Sequence, residues 1–116
     1  MTTESDDDPL FEALRALRAE YLADAPARVA ELWSAFDRMQ NGDDRGASVL
    51  RTLVHRLAGS GGAYGIPDVT EQARIAEQLI DRISTSQAGA SAAELDLLRT
   101  HLTGVADAFD RARSTE

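Results

Sequence analysis

Imidazole is the side chain in this sequence best suited to covalent chemistry, because the chain has two histidines and no cysteine. A neutral imidazole carries one ring nitrogen with a free lone pair, and an ordinary imidazole is largely neutral at cytosolic pH. His55 lies in a helical pattern whose apolar residues fall on the opposite face, at about 100° per residue. Those residues are Leu50, Leu53, Val54 and Leu57. The pattern therefore predicts a nucleophilic ring on the polar face of a helix.

Glycines follow His55 at a density that is unusual for a helix, at positions 59, 61 and 62. Each costs about 1 kcal/mol relative to alanine in a helix interior, so we expect them to serve a purpose. Gly59 and Gly62 fall one and two turns after His55 on its own side, and Arg51 falls one turn before it. Gly61 falls on the buried side, where it would let a neighbouring helix approach closely. We expect an uncovered imidazole that another macromolecule can reach.

The segment from His55 to Gly65 resembles the motif of histidine-containing phosphotransfer (HPt) domains. That motif reads roughly histidine, any residue, leucine or phenylalanine, lysine, glycine, serine, small residues, an apolar residue and glycine. The matching positions are His55, Leu57, Gly59, Ser60, Tyr64 and Gly65. Ala58 departs from the motif, because the family usually has a lysine there that helps to hold the phosphoryl group. Arg51 and Arg56 are the candidates to replace that lysine.

The resemblance implies a phosphocarrier of a two-component phosphorelay, without a nucleotide site or turnover of its own. His55 would accept a phosphoryl group, usually on Nε2, and pass it to a receiver-domain aspartate. The residues expected beside the phosphoryl group or the partner are Arg51, Arg56, Gly59, Ser60 and Gly62. The implied partners are response-regulator receiver domains and, as a further candidate, a hybrid sensor histidine kinase. No cofactor is implied for this chain, since Mg²⁺ would come with the receiver.

Other functions compete with phosphotransfer. A helical interaction module that binds a receiver or kinase without carrying phosphate stays open, because the family lysine is missing at Ala58. The dimerisation domain of a histidine kinase is disfavoured: its motif reads His-Glu/Asp-Leu-Arg-x-Pro, whereas His55 is followed by Arg-Leu-Ala-Gly. His101 lies in a leucine-rich helix without a glycine-rich segment after it, so we expect a structural role there. The sequence predicts no metal site, because no carboxylates accompany the two histidines at ligand spacing.

Length, charge and composition further restrict the classes of function and partner that this chain can have. The 116 residues suit one small domain, and the net charge of −8 argues against nucleic acid as a partner. No apolar run is long enough to span a membrane, and residues 2–8 are polar and acidic rather than a secretory signal. The lack of cysteine is compatible with a reducing compartment. We therefore expect a cytoplasmic monomer with no nucleic-acid or membrane partner.

Apolar residues at alternating spacings of three and four predict helices in the first half of the chain. Asp8 and Pro9 are typical of an N-cap and a first helical position, before an apolar stripe over Leu10, Leu14, Leu17 and Tyr21. A second helix is expected to begin near Ala25-Pro26, because proline is tolerated only in a first turn. Its expected core residues are Val29, Leu32, Trp33, Phe36 and Met39. After the turn at 41–44, a third helix is predicted from about Arg45 to Ala63.

The second half of the chain carries the spacing of two capping boxes, Asp68–Glu71 and Ser91–Glu94, each of which predicts a helix start. Ser84–Ala90 is predicted to be the loop between these two helices, and the last helix is expected to end near Arg113. The residues expected in the core from the fourth helix are Val69, Ala73, Ala76, Leu79, Ile80 and Ile83.

No stretch shows sustained strand alternation, and short loops join the helices, so the predicted fold is all-α. We expect an antiparallel up-and-down four-helix bundle with an additional N-terminal helix that caps one end. Residues 1–7 are expected to be a disordered tail and residues 8–114 a single domain. His55 would then lie within the third helix.

Overall fold

The computed structural model describes residues 8–115, which form five α-helices and contain no strand. The helices are α1 (Pro9–Ala23), α2 (Ala25–Gln40), α3 (Asp44–Ala63), α4 (Pro67–Ser84) and α5 (Ala92–Ser114). The predicted all-α class is therefore confirmed. Residues 1–7, predicted to be a disordered tail, lie outside the described residues. Among the helices within residues 8–115, none has the length and apolar character needed to cross a membrane.

Aspartate side chains cap the start of α1, as the sequence predicts, and the start of α3. At the start of α1, the amide of Leu10 donates to Asp8 Oδ1 at 3.0 Å. At the start of α3, the amide of Arg45 donates to Asp43 Oδ1 at 2.9 Å, and this bond is the main reason why the pKa of Asp43 is lowered. Both carboxylates satisfy amides that have no partner inside their helix.

Of the two predicted capping boxes, one forms and the other does not. At α5 the amide of Ser91 donates to the carboxylate of Glu94 at 2.9 Å, and the amide of Glu94 donates to the hydroxyl of Ser91 at 3.1 Å. The box predicted at Asp68–Glu71 is wrong, because α4 begins at Pro67 with Ile66 as its N-cap and no side-chain cap bond. Proline is preorganised for the first helical position, so the helix starts one residue before the predicted cap.

Helices α2 to α5 enclose the core, since α3 packs between α2 and α4, and α5 packs against both α4 and α2. The contacts Arg51–Asp81 and Gly62–Thr70 show that α3 and α4 are antiparallel, because one residue number rises as the other falls. Trp33, expected in the core, is only partly buried at its edge. The largest fully buried side chains are Phe36, Phe109, Leu32, Leu50, Ile80, Leu98, Leu102, Val54, Val69 and Val105.

Helix α1 is buried mainly at its C-terminal end. Tyr21 and Leu22 belong to the core, whereas Leu10, Leu14 and Leu17 are exposed. Of the apolar stripe predicted from helical spacing in this helix, only Tyr21 is therefore buried. The helix contacts α2 and α5, and Tyr21 near its C-terminal end also contacts α3, whereas its first turns are left uncovered.

Candidate functional site

His55 lies in α3 on the face that the bundle leaves to solvent. Its side chain is 68% exposed, whereas Leu50, Val54 and Leu57 on the other side of the helix are buried. This agrees with the position of His55 in the helical pattern. Because the opposite face is anchored in the core, the helix fixes the backbone of His55 and leaves only its side-chain torsions free.

Gly59 and Gly62 leave part of the α3 backbone uncovered beside His55, and we call this surface the bare strip. Within the described part of the chain, a Cβ atom built at Gly59 would meet no atom within 4 Å. At Gly62 it would meet only Thr70 Oγ1, at an ordinary contact distance of 3.5 Å. A partner can therefore approach the helix backbone closely on the side of the ring where these glycines lie.

Gly61 lets α4 cross close to α3, as predicted. A Cβ atom at Gly61 would lie 2.8 Å from the backbone nitrogen of Thr70 and 3.0 Å from Cβ of Val69, so a larger residue does not fit. The Thr70 hydroxyl accepts from the amide of Gly62 at 2.7 Å and donates to the carbonyl of Ala58 at 2.9 Å. In a regular α-helix the amide of Gly62 would donate directly to the carbonyl of Ala58. The end of α3 is thus fixed against the start of α4.

Glu77 of α4 contacts the reactive ring, although no sequence motif marks it. Its Oε2 lies 2.9 Å from Nδ1 of His55, and its side chain is only 17% exposed. A carboxylate accepts hydrogen bonds and cannot donate them, so Nδ1 carries the proton in the neutral ring and Nε2 keeps the lone pair. One signal in the sequence points to this pair: His55 and Glu77 are equally distant from Ile66, so antiparallel helices joined by a short turn bring them level.

Arg51 and Asp81 form a second contact between the two helices, one turn further along. Arg51 Nε donates to Asp81 Oδ1 at 2.6 Å, and Nη2 lies 3.4 Å from both Asp81 Oδ2 and Glu77 Oε2. The hydrogen bond to Asp81, together with the charges of Asp81 and Glu77, raises the pKa of Arg51. One oxygen of Glu77 therefore faces both the imidazole and the guanidinium. We call Arg51, His55, Glu77 and Asp81 the His55 cluster.

Two other residues predicted to lie near the phosphoryl group are directed elsewhere. Arg56 lies on the α2 side of α3, where it lines a cavity between the two helices. Ser60 is partly buried, and its Oγ lies 2.7 Å from the phenolic oxygen of Tyr21. The structure thus places Arg51, and not Arg56, in contact with a group that touches His55. The hydroxyl of Ser60 joins α3 to α1.

A small apolar residue occupies the position of the family lysine in this chain. Ala58 is buried, with 8% of its surface exposed. The chain contains no lysine at all, because its 12 lysine-plus-arginine positions are all arginine. Any side-chain cation that offsets the charge of a phosphoryl group here must be a guanidinium, and Arg51 is the arginine found in the His55 cluster.

His101 has a different setting from that of His55. It is partly buried between α5 and α4, with Nδ1 2.7 Å from Oε1 of Gln72. Over residues 8–115, no three or more histidine, aspartate or glutamate side chains are grouped so that they would hold a metal ion.

Comparison with known proteins identifies a family for this chain. A family model described as the Hpt domain matches residues 16–114, a span that includes the whole of α2 to α5, the His55 cluster and the bare strip. No curated protein and no solved structure matches the chain. The family match covers most of the sequence and includes the segment from His55 to Gly65 that resembles the HPt motif. This chain belongs to the Hpt domain family.

Proposed function

We propose that this protein is a phosphorelay intermediate that accepts a phosphoryl group on Nε2 of His55 and passes it to the aspartate of a receiver domain. Hpt domains are phosphocarrier modules of phosphorelays and not enzymes in the usual sense. The observation that carries the proposal is a single exposed imidazole, oriented by Glu77 and flanked by the bare strip.

Transfer to His55 needs a lone pair directed at phosphorus and a group that stabilises the positive charge developing on the ring. As Nε2 bonds to phosphorus, the O–P bond of the receiver's aspartyl phosphate breaks and the aspartate leaves as a carboxylate. The ring keeps its proton on Nδ1, and Glu77 Oε2, at 2.9 Å, stabilises the resulting imidazolium. Onward transfer reverses these steps, with the carboxylate of another receiver as the nucleophile.

The receiver completes the site in this proposal. It would supply the Mg²⁺ and the acidic residues that offset charge at phosphorus, so this chain needs no cofactor of its own. The proposed partners are response-regulator receiver domains, with a hybrid sensor histidine kinase as a further candidate. We propose that α2 to α5 form an up-and-down bundle, with α1 as an additional N-terminal helix, and that the protein acts as a monomer in the cytoplasm.

The proposal is tested by incubating the protein with a panel of receiver domains that carry radiolabelled aspartyl phosphate. We expect label to move to this protein, and to be lost in acid but kept in base, as an N–P bond requires. If a receiver binds stably and no label moves, the protein is a helical interaction module and not a phosphocarrier. That second candidate is favoured by one observation, the buried Ala58 in a chain without lysine.

A bulky residue in the bare strip should block transfer without disturbing the fold. Gly59→Leu is expected to lower the single-turnover transfer rate at least tenfold, because the side chain would stand one turn from His55 on the same side. The space at Gly59 is open and leucine favours helix more than glycine does, so we expect equal or higher stability in thermal unfolding. Ala30→Leu, at an exposed position of α2, is the control. Equal transfer rates in the two variants would contradict this role for Gly59.

Removing the carboxylate of Glu77 should slow transfer, because the ring would lose both its orientation and the partner of Nδ1. We expect Glu77→Ala to lower the transfer rate by about ten- to a hundredfold. Glu77→Gln should recover part of the loss, since an amide oxygen still accepts from Nδ1 but carries no charge. Glu71→Ala removes an exposed carboxylate from the same helix and should have little effect. An unchanged rate in Glu77→Ala would show that the contact with His55 has no role in transfer.

A further inference from the structure

We propose that Asp81 biases phosphoryl flow away from His55, because it keeps Arg51 paired and adds a negative charge to the surface on which phosphohistidine forms. This inference rests on the proposed function and deepens it, since it assigns a preferred direction to the transfer.

The geometry of the His55 cluster commits its one cation to carboxylates. Arg51 directs Nε at Asp81 Oδ1, at 2.6 Å, and Nη2 toward Asp81 Oδ2 and Glu77 Oε2, at 3.4 Å each. Glu77 Oε2 in turn lies 2.9 Å from Nδ1 of His55. The guanidinium of the His55 cluster is therefore already paired with carboxylates before any phosphoryl group arrives.

Charge in the His55 cluster opposes a phosphoryl group. Arg51 contributes one positive charge, and Glu77 and Asp81 contribute two negative ones. A phosphoryl group on His55 adds about two more negative charges. The imidazolium formed on the ring offsets one of them, so phosphorylation makes the site more negative by about one charge. On α4, Arg74 lines a surface with Asp68 and Glu71, whose charges offset its own. The phosphorylated state is thus less stable than it would be with an unpaired cation beside it.

The exposure of the Arg51–Asp81 pair lets the phosphoryl group compete for the guanidinium. The side chains are 48% and 50% exposed, and exposed ion pairs are held weakly. On phosphorylation, Arg51 can exchange Asp81 for the phosphoryl oxygens, but Asp81 then loses its partner and repels the new charge. Both effects raise the free energy of phosphohistidine relative to that of the receiver's aspartyl phosphate. Transfer from His55 to the receiver is therefore more favourable than it would be without the charge of Asp81.

The equilibrium constant between phospho-His55 and the phosphorylated receiver is the quantity that isolates this effect. It depends on the free energies of the separate proteins, so a change in docking affinity alters the rates but leaves the constant unchanged. The test uses the full chain and a receiver that exchanges label with it, and it quantifies label on both partners at equilibrium, approached from both directions. Asp81→Asn removes the charge while keeping the shape of the side chain.

Asp68→Asn is the matched control. Asp68 is an exposed aspartate on the same helix that also pairs with an arginine of a neighbouring helix, Arg111, at 3.4 Å. It lies about 13 Å along α4 from Glu77, beyond the screening length at physiological salt. Circular dichroism and thermal unfolding check that both variants keep their helices.

We expect Asp81→Asn to shift the equilibrium toward phospho-His55 by about three- to tenfold, and Asp68→Asn to change it less than about twofold. Arg51→Gln should shift it in the opposite direction, toward the receiver. The inference is overturned if Asp81→Asn gives the wild-type constant, even with altered rates, or if Arg51→Gln shifts the equilibrium toward phospho-His55. If the wild type takes no label from any receiver, the proposed function fails, and this inference fails with it.

Discussion

Replacing His55 with glutamine is expected to reduce phosphoryl labelling below detection while leaving the helical content unchanged. The reactive lone pair belongs to Nε2, and glutamine has no nitrogen that attacks phosphorus under the same conditions. The fold should survive, because the side chain of His55 is 68% exposed and its one described hydrogen bond is to Glu77. Labelling by a phosphorylated receiver and far-ultraviolet circular dichroism measure the two outcomes.

The other histidine provides a matched control. His101→Gln makes the same chemical change on α5, where the ring is partly buried against Gln72. This variant should be labelled like the wild type, with at most a modest loss of thermal stability. Label that persists in His55→Gln, or that disappears in His101→Gln while the helices remain, would show that His55 is not the acceptor.

Gly61→Val should be the most destabilising single change in the glycine-rich segment. Its Cβ would lie 2.8 Å from the backbone nitrogen of Thr70, and a backbone atom cannot rotate away as a side chain can. The helices α3 and α4 would have to separate, at a cost of about 3 kcal/mol, at the upper end of the usual range for overpacking. The same separation would draw Glu77 away from His55, so transfer should fall together with stability. Urea denaturation and the transfer rate measure the two effects.

Gly59→Ala is the control for that experiment, since it enlarges a glycine of the same helix at a position with open space. It should increase the free energy of unfolding by up to about 1 kcal/mol, because alanine has the higher helix propensity. Opposite signs of the stability change at the two positions are the expected result. Similar losses at both would mean that α4 does not cross at Gly61 as described.

The opposite behaviour of these glycines was predictable from helical periodicity alone. Gly61 falls on the buried side of α3 and Gly59 on the side of His55, and the structure confirms both positions. The same periodicity predicted the buried face of α4, because apolar residues at three- and four-residue spacing have one stable arrangement in a bundle. A local sequence pattern is sufficient to predict burial when burial depends only on the helix face on which a residue lies.

Predictions that depended on how helices meet were less successful. Glu77 was missed because its role comes from the register of α4 against α3, which no single segment encodes. Leu10, Leu14 and Leu17 form a helical stripe whose spacing is typical of a buried face, yet they are exposed, because few neighbours surround the start of α1. The box predicted at Asp68–Glu71 failed for a local reason, since Pro67 already occupies the first helical position.

The most direct test of the account is nuclear magnetic resonance of the phosphorylated protein with ¹⁵N-labelled histidine. Because Glu77 accepts from Nδ1, the phosphorus should couple to Nε2 of His55, and Nδ1 should keep its proton. The ring of His101 should stay unmodified, so its ¹⁵N chemical shifts should not change. Phosphorus bonded to Nδ1 of His55, or to any other side chain, would contradict the account.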